Sequence, residues 1–95
     1  MRRELREEVE KAVCSISTFR VLAEMASKPS KAFTKYALKK ATMLNERDVA
    51  NALRKLVEVN WVEELDLGRV KLYRLNVGNE RVKVFVEFLR NIGYI

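Results

Sequence analysis

Apolar residues recur along this chain at two spacings, and the spacing changes from segment to segment. Leu5, Val9 and Ala12 or Val13 fall three and four apart, which predicts an amphipathic helix over residues 2–13. Glu4, Glu7, Glu8 and Glu10 fill its other faces with Arg3, Arg6 and Lys11. Phe19, Leu22, Ala23, Met25 and Ala26 make a broader apolar surface. They predict a second, centrally packed helix from Thr18 to about Ser27. Lys28-Pro29-Ser30 ends it, because the residue before a proline disfavours the α region. Leu38, Ala41, Leu44 and Val49 can face one core across two short helices and a tight turn. The second of these runs from Glu46 to about Val59, with Val49, Ala52, Leu53 and Leu56 buried. Trp61 to Leu67 and Val70 to Asn76 flank Gly68-Arg69 and read as a β-hairpin. Lys31-Ala32 can add a very short strand beside it. A last helix, Glu80 to about Ile92, carries Val82, Phe85, Val86, Leu89 and Ile92 on one stripe, with Val84 and Phe88 on another side.

Helix starts carry a repeated signature of a cap and a hydrophobic staple. Ser17 is the expected cap of the second helix, with Ile16 and Val21 as staple. Thr34 caps the third between Phe33 and Leu38. Asn45 caps the fourth between Leu44 and Val49, and its side-chain oxygen can accept from the Asp48 N–H. Asn79 caps the last helix. Asn60 falls where a left-handed residue is needed to close the fourth helix.

Two short helices over a tight turn make a helix-turn-helix, and the hairpin behind it supplies a wing. The run Leu38-x-Lys40-Ala41-Thr42-x-Leu44-Asn45-Glu46-Arg47-Asp48-Val49 carries a family resemblance. So do Ala52-Leu53-Arg54-Lys55-Leu56-Val57-Glu58 and Trp61-Val62-Glu63-Glu64. Together they resemble the winged helix-turn-helix regulators of archaea and bacteria, over roughly residues 17–77. The resemblance implies a winged helix-turn-helix, mainly α with a β-hairpin (α+β), and a transcription-regulating role. Two positions depart from the pattern. Lys39 stands where a small Ala is usual, and Met43 where Gly is usual. A non-Gly residue is uncommon at positive φ, so the turn is expected to use another geometry.

Length adds that 95 residues suit one domain, 1–95, with one small core. The terminal helices, about 2–13 and 79–92, lie outside the winged-helix core. Charge sharpens the picture more. The net charge is +6, and residues 28–55 hold eight basic and two acidic groups. The two flanking segments are each neutral, so the whole excess sits on the helix-turn-helix and its approach. A positive region coinciding with a groove-entering motif points to phosphate contact.

Other chemistry is sparse. There is no histidine and one cysteine, Cys14. This leaves no Cys/His metal-ligand set and no Ser–His or Cys–His catalysis. No Gly-rich phosphate loop is present. The expectation is a protein that is not an enzyme, with no cofactor and no metal. No run of 18 apolar residues exists, so no membrane span is expected. The N-terminus lacks the apolar centre of a signal peptide, which points to the cytoplasm. Cys14 is expected as a small buried thiol, with an intersubunit disulfide as the alternative if the source is a hyperthermophile.

The candidate site follows from these elements. Arg47, Ala50, Asn51 and Arg54 lie on the outer face of the fourth helix and are the candidates for base contact. Arg can pair with guanine O6 and N7, Asn with adenine N6 and N7, and Ala can touch a thymine methyl. Lys31, Lys35, Lys39, Lys40 and Lys55 are candidates for the DNA backbone, and Arg69 and Lys71 for the wing. Trp61, Tyr73 and Leu75 read as core. The first helix either covers its own domain or packs against a second subunit. Leu5, Val9, Val84, Phe88, Tyr94 and Ile95 are the candidates for a two-fold interface. The expectation is a homodimeric, sequence-specific regulator of transcription binding double-stranded DNA. The alternatives are a winged helix serving protein interaction, an architectural chromatin protein binding DNA without sequence preference, and an RNA-binding winged helix.

Overall fold

The computed structural model describes residues 3–95. Its elements, in chain order, are α1 (Arg3–Ala12), α2 (Ile16–Ser27), β1 (Ala32–Phe33), α3 (Lys35–Thr42), α4 (Glu46–Glu58), β2 (Val62–Asp66), β3 (Lys71–Leu75) and α5 (Glu80–Asn91). The predicted start of α1 at Arg2 lies outside the described residues.

Three antiparallel strands form one sheet in the order β1-β3-β2. The hairpin register pairs Glu63 with Arg74, Glu64 with Tyr73 and Asp66 with Lys71. Two acid–base pairs thus face each other across β2 and β3, which favours this pairing. β1 adds Ala32 opposite Arg74 and Phe33 opposite Tyr73, one residue later than the expected strand.

The core lies where α2, α3 and α4 meet the sheet. Val21, Leu22, Met25, Leu38, Val49, Leu53, Leu56, Trp61, Tyr73 and Leu75 are all buried there. α4 buries Val49, Ala52, Leu53 and Leu56, the stripe its periodicity predicts. α5 closes one side through Val82, Val86 and Leu89, with Phe85 edge-on to Phe19 at 6.1 Å between ring centres.

Caps position the motif. The Thr34 hydroxyl accepts from the Ala37 N–H at 3.0 Å, and Asn45 Oδ1 from the Asp48 N–H at 2.7 Å. Leu44 and Val49 both pack into the core, as a staple requires. Asn60, at φ 65°, closes α4 with two reversed bonds. Its N–H donates to Val57 O at 3.1 Å, and the Trp61 N–H donates to Leu56 O at 3.0 Å. This is the Schellman pattern, and it sends the chain from α4 directly into β2.

Several expectations are corrected. The cap of α2 is Ser15, not Ser17: its Oγ accepts from the Thr18 N–H at 3.1 Å. The two hydroxyls of Ser15 and Thr18 also bond at 3.0 Å, a reciprocal contact Ser17 cannot make from inside the first turn. Ile16 is consequently turned out and exposed rather than stapled. Ala41 is exposed as well, because the inner line of α3 belongs to Leu38 and Thr42, one turn apart. The Thr42 hydroxyl is satisfied by Leu38 O at 2.6 Å. Met43 takes the left-handed geometry after all, at φ 62°, with its N–H bonded to Lys39 O at 3.0 Å. Its side chain is 87% exposed, so solvent accommodates what a buried β-carbon would not. Cys14 is exposed, not buried.

At the C-terminus Ile92 leaves the predicted stripe and is exposed. Gly93 at φ 82° reverses the chain, and the Tyr94 N–H reaches Leu89 O at 2.8 Å. Ile95 then packs against the core, and Tyr94 meets Phe19 edge-on at 5.3 Å. Both residues therefore have contacts within their own domain.

Candidate nucleic-acid interface

The outer face of α4 is built by default: with Val49, Ala52, Leu53 and Leu56 inward, Arg47, Asn51 and Arg54 must point away. All three are exposed, and Ala50 is half-buried beside them. Arg54 and Asn51 approach at 3.5 Å between Nη2 and Oδ1, a loose contact that leaves both free to bond elsewhere. Arg47 lies one turn before Asn51 on the same face. A face of two guanidinium groups, one amide and one methyl carries the donors and acceptors that read base edges.

α3 runs beside it and presents Lys35, Lys39 and Lys40, all exposed. Among the described residues none of the three forms an ion pair. Tyr36 stands among them at 65% exposure, with Lys40 Nζ 5.5 Å from its ring centre. This residue did not enter the sequence-based candidates, since its position on a basic face is set by the phase of a short helix. Its hydroxyl is a donor suited to phosphate oxygen. Lys31 is exposed too, with its ammonium 5.0 Å from the Phe33 ring centre.

Lys55 departs from the group. Its Nζ lies 3.4 Å from Cys14 Sγ, toward the end of α1 and aside from Asn51 and Arg54. Burial alone would raise the Cys14 thiol, but the hydrogen bond from Lys55, with Thr18 and the Lys55 charge, outweighs it and holds the thiol below its ordinary range.

The wing tip is Gly68-Arg69. Gly68 takes φ 88°, and its N–H donates to Asp66 Oδ1 at 2.9 Å. Arg69 and Lys71 are exposed. Arg74 is instead occupied by Glu63 at 3.4 Å. Between the wing and α4 lies an open cleft of about 370 Å³, lined in part by Lys35, Asn51, Arg54, Glu64 and Tyr73.

A second surface lies on α5. Val84, Phe88 and Ile92 repeat every four residues and are 62%, 54% and 58% exposed, so they form one apolar stripe. Val9 of α1 is 37% exposed and Leu5 half-buried. α1 itself is tied down by polar contacts. Glu8 Oε2 accepts from Trp61 Nε1 at 2.6 Å and from Arg81 Nε at 2.6 Å, and Lys11 pairs with Glu58 at 2.5 Å. These contacts make α1 a cover of its own domain.

Among the described residues no group of acidic, Cys or His side chains could hold a metal, and no helix is long and apolar enough to cross a membrane. The architecture is that of a winged helix-turn-helix with an added helix at each end. Solved structures share it. Reduced HlyU from Vibrio cholerae superposes with a TM-score of 0.74 at 16% identity, covering 93% of this chain and 87% of that one. The homodimeric winged helix-turn-helix DNA-binding domain of a possible ArsR-family transcriptional regulator from Mycobacterium bovis gives 0.69 at 20% identity, covering 93% and 80%. MepR of S. aureus, in its complex with DNA, gives 0.67 at 15% identity, covering 95% and 76%. No family model matches the sequence, and no curated protein matches it.

Proposed function

We propose that this protein is a transcription regulator that binds double-stranded DNA as a homodimer, with α4 in the major groove and the wing on the flanking backbone or minor groove. One observation carries the reading. The segment that carries the chain's net excess of positive charge, residues 28–55, includes α3 and most of α4, where Arg47, Asn51 and Arg54 share one exposed face beside Lys35, Lys39 and Lys40. Arg47, Ala50, Asn51 and Arg54 read bases. Lys31, Lys35, Lys39 and Lys40, with Tyr36, hold phosphates where α3 crosses the backbone. Arg69 and Lys71 of the wing reach the flank. Lys55, engaged toward Cys14, is left out of this set.

The homodimer rests on the α5 stripe. An apolar stripe of Val84, Phe88 and Ile92 stays more than half exposed among the described residues, and a second copy seated on it would bring two α4 helices to one duplex. A two-fold protein then calls for an inverted-repeat target. That the M. bovis domain is homodimeric and that MepR was solved with DNA support both halves of the reading.

Selection of duplexes from a random pool, followed by titration with salt, tests it. The expected result is enrichment of an inverted repeat, with affinity that falls steeply as salt rises. Binding of every duplex alike, with no sequence enriched, would overturn the sequence-specific reading in favour of an architectural protein.

A further inference from the structure

The cleft between the recognition helix and the wing holds an anion in an otherwise cationic place. Of the hairpin acids, Glu63 pairs with Arg74 at 3.4 Å and Asp66 accepts from the Gly68 N–H at the tip at 2.9 Å. Glu64 is the one that borders the cleft. It is exposed, it lines the cleft together with Lys35 and Arg54, and among the described residues it forms no ion pair. Its carboxylate accepts from the Tyr73 hydroxyl at 3.0 Å. Tyr73 is its cross-strand partner in the register, and the Tyr73 ring is 3% exposed, so the carboxylate is anchored to the core rather than swinging on a free side chain. Burial first, then the hydrogen bond and charge of Glu64, push the Tyr73 phenol up to about 12. The phenol therefore keeps its proton, and the anchor holds, at any pH where DNA binding would be measured.

Taking the DNA-binding reading above as its basis, we propose that Glu64 is a specificity-determining residue. It is a carboxylate fixed between helix and wing that penalises phosphate drawn into the cleft against Arg54, a group that at the target reads a base, and so weakens binding to arbitrary duplex more than binding at the target. The asymmetry has a physical origin. Binding to arbitrary sequence is almost wholly phosphate electrostatics, with the backbone free to settle into any basic recess. At the target, base contacts from Arg47 and Asn51 set the register, and the backbone goes where they place it. Specificity is a difference of affinities, and a repulsive element acting on the wrong complexes raises it as surely as a new contact in the right one.

Glu64→Gln is the test, because Gln keeps an acceptor for the Tyr73 hydroxyl and removes only the charge. Affinities of wild type and variant are compared for the selected site and for a scrambled duplex, between about 50 and 200 mM salt. The expected result is a gain of about fivefold on the scrambled duplex with a steeper salt slope, and a smaller gain at the selected site, so that the ratio between them falls. Unchanged affinities, or equal gains on both duplexes, would overturn the proposal. A loss confined to the selected site would also overturn it, by identifying a direct contact to a base amino group. Failure of the underlying reading looks different: wild type itself would bind no duplex at low salt, and both inferences would fall.

Discussion

The indole of Trp61 donates to the Glu8 carboxylate at 2.6 Å, across 53 positions of sequence. Arg81 donates to the same oxygen from α5 at 2.6 Å. One carboxylate therefore joins α1, the turn after α4 and the last helix. It is 20% exposed at the side chain, so both bonds are partly shielded from water. Glu8→Ala should cost about 1–3 kcal/mol, because the Trp61 N–H is left in a buried setting without its acceptor. Chemical denaturation followed by Trp61 fluorescence measures it. An unchanged midpoint would show that water replaces Glu8 at no cost.

The same carboxylate sets an acid dependence. Burial by itself would raise Glu8, but the Arg81 hydrogen bond, the Trp61 hydrogen bond and the Arg81 charge outweigh it and hold Glu8 below its ordinary 4.5. A carboxyl depressed in the folded state contributes stability that is fully present above its unfolded value and lost as pH falls through the folded one. The difference in stability between wild type and Glu8→Gln should be flat from neutral pH down to the ordinary carboxylate range, then shrink below it. Paired melts across that range check the sign.

Recognition helix and wing should respond differently to substitution. Arg47→Ala or Asn51→Ala should cost about 1–3 kcal/mol at the selected site and relax sequence preference. Arg69→Ala or Lys39→Ala should weaken all duplexes alike and make the salt dependence shallower by about one phosphate. Fluorescence anisotropy with matched and scrambled duplexes separates the two patterns. Recognition-helix variants that bind the selected site as wild type does would remove α4 from the groove.

Met43 sits left-handed at φ 62° with its side chain 87% exposed. A non-Gly residue in such a region carries strain on the order of 1 kcal/mol or more, partly offset by the greater unfolded-state freedom of Gly. Met43→Gly should therefore stabilise the domain by up to about 1 kcal/mol, with no loss of core packing, and Met43→Val should destabilise it. The urea midpoint is the readout, and a lower midpoint for the Gly variant would contradict the strain.

Phe88→Glu places a charge in the middle of the α5 stripe. Because Phe88 is 54% exposed in the isolated domain, its thermal stability as a monomer should hardly change, while association should be lost. Sedimentation at micromolar concentration should show a dimer for wild type and an 11.1 kDa species for the variant. A wild-type monomer, still monomeric on DNA, would return α5 to a purely intramolecular role.

Local rules reach far along this chain. The period of apolar residues placed five helices and a hairpin, and the stripe Val49, Ala52, Leu53 and Leu56 inward obliged Arg47, Asn51 and Arg54 outward. Thr34, Asn45, Asn60 and Asn79 acted at helix ends through bonds no longer than a few residues, which is why their roles could be read without any fold. Ser15 and Ser17 show the limit of such reading: two serines two positions apart both fit a cap, and a hydroxyl pair with Thr18 decided between them. What only the tertiary structure decided depends on residues distant in sequence. Glu8 looked like one more solvated acid until Trp61 and Arg81 came to it. Lys55 had no neighbour legible in the sequence until the end of α1 brought Cys14 beside it. Ile95 looked unpartnered until Gly93 turned the chain back onto the core. Glu64 acquired a place between helix and wing only once the hairpin folded over α4. Periodicity and capping are properties of a segment, whereas the charge environment of a surface is a property of every element that happens to border it.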